Sequence, residues 1–223
     1  MSVINTPPFG RVPIETHVTE YSEEIIRKSI GRELKRKGQC FFIHNRVKDI
    51  EKVRKKIEQI VPQGHIACAH GQMHEKELEE IMLQFIQGDI DVLVSTTIVQ
   101  SGIDIPNANT LIVNRADMFG LADLYQLRGR VGRYKYKAYA FFLVRPGFEW
   151  DSDAKRRLRA IEKHTELGSG FKIAMEDLQI RGAGNLLGSQ QHGFIMAVGF
   201  DLYCRLLRET INELLIGEKG RRQ

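Results

Sequence analysis

At 223 residues the chain has room for one large domain, or one domain with a substantial appendage, and it can bury a core without disulfide or metal staples. With 42% apolar and 27% charged residues it is neither disordered nor fibrous, and no apolar run approaches the roughly 20 residues of a membrane helix. The opening MSVINTPPFGRVP has no apolar stretch that would make it a signal peptide, and the net charge of +5 permits nucleic-acid binding without announcing it. Three scattered cysteines, Cys40, Cys68 and Cys204, fit no metal-ligand spacing and suit reduced thiols in a cytoplasmic setting.

Residues 14–19 read as a short strand. Ser22 is placed to cap a helix, EEIIRKSIGRELKRK, that Gly38 stops. QCFFIH is a buried strand, residues 47–61 a helix halted by Pro62, and HIACAH a strand. HEKELEEIMLQFIQ carries acids in its first turn and ends at Gly88, the pattern of a helix. DVLVST and TLIVN are strands, residues 121–127 open a helix, and AYAFFLV is a last strand. This alternation predicts an α/β fold with a mostly parallel sheet and functional loops at the strand carboxyl ends. After Arg145-Pro146-Gly147 the pattern changes to a helix over 151–165, a glycine-punctuated stretch, and a helix near 198–215. The expected divisions are an N-terminal linker (1–12), an α/β lobe (13–146), a helical element (147–215) and a disordered tail (216–223).

The sharpest motif is QLRGRVGR at 126–133. Wound as a helix at about 100° per residue, Gln126, Arg130 and Arg133 share one face while Arg128 falls opposite. Two planar, permanently charged guanidiniums and an amide on one face suit a polyphosphate, and Gly129 and Gly132 would let a partner approach. Upstream, DVLVST empties into a polar loop containing Thr96, Thr97, Gly102 and Asp104. Small hydroxyls and open backbone N–H groups there can grip a nucleic-acid backbone, and Asp104 can accept from a ribose hydroxyl or an arginine. Two other strand ends carry His44, Asn45 and Arg46, and His70, Gly71 and Gln72. For these histidines backbone contacts are expected rather than proton transfer. His65, His70 and His74 straddle a strand and a helix start without nearby cysteines, so no metal site is assigned.

Together FFIHNRV, AHGQM, TTIVQSGIDIPNANTLIVNRAD and YQLRGRVGR resemble motifs IV to VI of superfamily-two helicases and translocases, in their second RecA-like lobe. The tail FKIAMEDLQIRGAGNLLGSQQHG resembles the translocation element shared by bacterial branch-migration helicases and the transcription-repair coupling factors, and VGFDLYCRLL fits the coupling-factor family best. The chain departs from the family at Gln100, where an acid is usual, and in YKYKAYA, where a serine usually follows the last arginine. The resemblance implies a RecA-like lobe with a helical translocation hairpin. It implies ATP with Mg²⁺ bound mainly by a first lobe, Arg130 and Arg133 reaching the phosphates, Gln126 coupling, and Gly102 and Asp104 near the nucleotide. It places Asn45, Arg46, His70, Gly71, Thr96 and Thr97 against double-stranded DNA, and Arg157, Arg181 and Gln191 in coupling. RNA polymerase and excision-repair factors would be met through other regions of a larger motor, and no membrane is involved.

A P-loop, G-x-x-x-x-G-K-[ST], is missing from the chain, as is any Asp-Glu dipeptide. The expectation is therefore a C-terminal part of a motor, inactive toward ATP by itself. The competing readings are a branch-migration or RNA helicase lobe, and a nucleic-acid-binding module without catalysis.

Overall fold

The computed structural model describes residues 13–97, 105–132, 136–148, 152–166 and 168–180. The chain divides into two compact units, Met1–Ala174 and Met175–Gln223. The first contains a six-stranded sheet: β1 (Glu15–Glu20), β2 (Gln39–Ile43), β3 (Ile66–Ala69), β4 (Val92–Ser95), β5 (Ala108–Asn114) and β6 (Tyr139–Val144). The order across it is β1-β6-β5-β2-β4-β3, and every pairing is parallel. The helices are α1 (Glu23–Lys35), α2 (Val47–Ile60), α3 (Glu75–Gln87), α4 (Leu121–Arg128), α5 (Ser152–Lys163) and α6 (Gly170–Ile180), the last running across the unit boundary. Of the second unit only residues 175–180 are described, as the end of α6. The expected helix near 198–215 and the tail lie outside the described residues.

Each element follows from local chemistry. Ser22 accepts the Ile25 N–H at 3.5 Å, and Glu23 and Glu24 sit in the first turn, so α1 begins where its free N–H groups and dipole are answered. Ile26 and Ile30 face inward and are fully buried. Lys37 then takes φ 55°, and a side chain on Gly38 would collide with the Glu33 carboxylate. Glu33 is itself buried, held by a fork from Arg36 (2.7 and 2.6 Å) and by the Thr110 hydroxyl, which ties α1 to β5. α3 ends at Gly88 with φ 90°, the left-handed cap glycine allows.

β2 and β4 are buried along their whole length, as strands covered on both faces must be. Phe42, Ile57, Val94 and Ile112 meet between the sheet and its helices. Each such side chain contributes roughly 1.5–3 kcal/mol by leaving water. The open edge of β1 is partly closed by α5, whose Glu162 Oε1 accepts the Val18 N–H at 3.2 Å. No helix among the described residues is long and apolar enough to cross a membrane.

Candidate nucleotide and nucleic-acid interface

Because all six strands are parallel, their carboxyl ends share one edge. Strands β5, β2, β4 and β3 are consecutive there, which brings together the segments that follow them. Asn45 and Arg46 are exposed after β2, Gly71 is exposed and His70 half-buried after β3, and Thr97 is half-buried after β4. Thr97 Oγ1 donates to Asn45 Oδ1 at 3.3 Å, linking two of these strand ends directly. Arg46 pairs with Asp49 at 3.3 Å and remains largely open to solvent. Thr96 is buried, and its hydroxyl has no hydrogen-bond partner among the described residues.

His44 is 6% exposed and belongs to the floor of this edge rather than its surface. The Asn114 amide nitrogen meets its Nδ1 at 3.1 Å. Burial lowers its pKa below the usual imidazole value; Asp49 opposes this, while Arg46 and Arg115 add to it. A neutral, fixed imidazole beneath exposed Asn45 and Arg46 suits positioning. Asn114, which meets this ring, is not among the residues singled out from the motifs, since it stands at the end of an apolar strand.

The arginine motif is built differently from the sequence expectation. α4 stops at Arg128. Gly129 N–H still reaches the Tyr125 carbonyl at 3.1 Å, but Arg130 N–H bonds Leu127 O at 3.0 Å and Val131 N–H bonds Arg128 O at 3.4 Å, the tighter three-residue spacing. Gly132 then takes φ 71°. Arg130 therefore stands in the turn after α4, and the helical winding is already broken at Gly132. Gly132 is also not a gap for a partner: a Cβ there would lie 2.8 Å from Ala138 Cβ and 3.2 Å from Ile14 Cγ1. Gln126 is exposed and Arg130 half-buried, so both are open to a polyphosphate. Gly102, Asp104, Arg133, Arg181 and Gln191 lie outside the described residues.

Arg157 on α5 donates to the Asp117 carbonyl at 3.1 Å. Asp117 belongs to a 3-10 turn, Ala116–Met118, that follows Arg115 in the left-handed conformation (φ 57°). Arg115 Nη2 reaches back to Asp117 Oδ2 at 3.5 Å. Arg157 thus grips the turn that leaves β5, just after Asn114.

A wholly parallel sheet with helices packed against it and polar segments along one carboxyl edge defines a RecA-like α/β lobe. The family model described as "Helicase conserved C-terminal domain" matches residues 20–135, and the chain belongs to that family. Over 213 residues it is 58% identical to the transcription-repair-coupling factor of Bacillus subtilis (strain 168), covering 96% of this chain and 18% of that protein. The coupling factor of Staphylococcus aureus (strain NCTC 8325 / PS 47) is 54% identical over the same span. The chain therefore spans 18% of the length of the curated relatives it matches. Among solved structures, RecG bound to a three-way DNA junction is 34% identical with a TM-score of 0.66, over 83% of this chain and 24% of that one. The helicase MrfA bound to DNA shares the fold at 18% identity and a TM-score of 0.53, over 73% of this chain and 26% of that one.

Proposed function

We propose that this chain is the second motor lobe of an ATP-dependent double-stranded DNA translocase of the coupling-factor kind, one that displaces stalled RNA polymerase and couples transcription to nucleotide excision repair. The observation that carries the reading is the 58% identity across 213 residues, which extends through the tail as well as the lobe. ATP with Mg²⁺ would be held mainly by a first RecA-like lobe bearing the P-loop and acidic pair that this chain lacks. From this side Arg130, half-buried in the turn after α4, supplies charge to the transferring phosphoryl group, with Arg133 close to it in sequence. Gln126 reports the nucleotide to the strand edge, and Gly102 and Asp104 belong to the same nucleotide contact. Asn45, Arg46, His70, Gly71 and Thr97 hold the backbone of one DNA strand, with Thr96 buried beneath them. Arg157, Arg181 and Gln191 transmit the change of cleft shape to the translocation hairpin.

The test has two parts. The isolated chain shows no DNA-stimulated ATP hydrolysis above that of an Arg130→Ala control. In a complete motor that contains this lobe, Arg130→Ala lowers turnover by roughly 10³-fold or more while ATP binding persists. Hydrolysis by the isolated chain, or a turnover indifferent to Arg130, would overturn the assignment. The structural likeness to RecG favours a second reading, a branch-migration lobe. Release of stalled polymerase without a preference for forked DNA decides for the coupling-factor reading, and the reverse decides for the other.

A further inference from the structure

The last residue of α4 is arginine, and it turns inward. Arg128 is 4% exposed. Its Nη1 donates to the Ile161 carbonyl at 2.7 Å and its Nη2 to the His164 carbonyl at 2.6 Å. Ile161 lies in the last turn of α5 and His164 just beyond it, where carbonyls have no partner within the helix and a cation is favoured by the helix dipole. Ser169 Oγ donates to the same His164 carbonyl at 3.3 Å, and the Ser169 carbonyl receives the Ile173 N–H at 2.9 Å in the first turn of α6. Tyr125, one turn earlier on α4, lies with its ring 5.3 Å from the Arg128 guanidinium. A Cβ on Gly170, the first residue of α6, would stand 3.2 Å from the Tyr125 hydroxyl. The inner face of α4 therefore holds both the end of α5 and the beginning of α6.

An apolar residue would pack this position without the desolvation that a buried guanidinium demands. Burial indeed draws its pKa down from the usual arginine value, with Tyr125 acting the other way. What a leucine could not do is fix direction. A planar fork on two carbonyls permits one orientation of α5 relative to α4. The outer face of the same short helix shows Gln126, and Arg130 follows within two residues.

We propose that Arg128 is a positioning residue which ties the phosphate-facing turn of α4 to the α5–α6 connection, so that a shift of α4 on the nucleotide moves that connection as a rigid piece. This rests on the translocase reading given above. The experiment compares triplex displacement with phosphate release on the same DNA, in the complete motor and in its Arg128→Lys, Arg128→Gln and Arg128→Ala forms. Lysine keeps the charge but cannot bridge both carbonyls. The expected result is ATP turnover close to that of the unmodified motor with displacement per ATP reduced about 5-fold or more, the size of an ordinary coupling loss. Thermal melting of each variant accompanies the assay, and where alanine unfolds the chain the lysine form carries the test. Unchanged displacement per ATP in the folded variants would overturn the proposal, as would turnover and displacement falling in step. An unmodified motor that hydrolyses ATP without moving the triplex would instead overturn the translocase reading.

Discussion

Replacing Gly132 by alanine tests how the arginine turn is made. Two costs add. An L-residue at φ 71° pays about 1–2 kcal/mol for the left-handed conformation. The new methyl would then sit 2.8 Å from Ala138 Cβ and 3.2 Å from Ile14 Cγ1. Neither neighbour can withdraw, because both are buried and the Glu15 N–H bonds the Ala138 carbonyl at 3.0 Å, fixing the entries to β1 and β6 together. Overpacking of this kind costs about 1–3 kcal/mol. The total is about 2–5 kcal/mol, which for a chain of this length lowers Tm by about 4–20 °C in a far-UV circular dichroism melt. Gly129→Ala is the control. Gly129 has a helical φ of −65°, and its added methyl meets the Gln126 carbonyl at 3.3 Å and the Tyr125 carbonyl at 3.6 Å, so the change stays within about 1 kcal/mol. Equal losses in the two variants would refute the reasoning.

Other outcomes follow from the buried polar groups. Arg36→Ala strips Glu33, whose side chain is 1% exposed, of its guanidinium fork and costs about 3–5 kcal/mol in urea unfolding; a loss under about 1 kcal/mol would contradict this. His44 is held neutral by burial, so its folded pKa lies below the unfolded value of about 6.5. Its contribution to stability is complete above that value and declines as pH falls below it, so the unfolding free energy of the wild type drops more steeply toward acid than that of His44→Gln; matching slopes would exclude His44 as the source. Burial first, then the Glu51 carboxylate 2.7 Å away, pushes the Cys68 thiol up to about 12, and burial raises Cys40 also. Iodoacetamide at about pH 8 should leave both unmodified in the folded chain, read by peptide mass spectrometry, whereas modification at the rate of a free thiol would show that the sites open.

The alternation of strands and helices was legible because its signals are local. Ser22, Gly88 and Pro62 mark helix ends by their own chemistry, and β2 and β4 are short apolar runs of strand length. β5 extends further back than TLIVN, to Ala108, because Asn109 is polar yet buried, its amide donating to the Asn107 carbonyl at 2.9 Å. The end of α4 was misjudged for a similar reason. Helical periodicity carries no knowledge of φ, and Gly132 is turned by its packing on Ile14 and Ala138. The left-handed turn at Arg115 has no sequence mark, since asparagine or glycine usually signals that conformation. Arg128 could have been found. The winding that placed it opposite exposed Gln126 also placed it with Leu121 and Leu124, the buried face of α4.

The first strand of the lobe lies beside the last. β1 and β6 run parallel through six residue pairs, from Glu15 with Tyr139 to Glu20 with Val144. Tension that enters the chain before Glu15 and leaves after Val144 pulls the two strands in opposite directions along their common axis. That is shear, and the hydrogen bonds of the ladder bear it together, whereas an antiparallel hairpin pulled at its open end surrenders them one at a time. Extension must break the seam as a unit, so resistance to it is a matter of unfolding rate and not of the weakest single bond. The Glu162 carboxylate, fastened to the Val18 N–H at the middle of β1, adds a cross-tie to the strand that would slide. The strand order thus makes the lobe a stiff link along its own backbone.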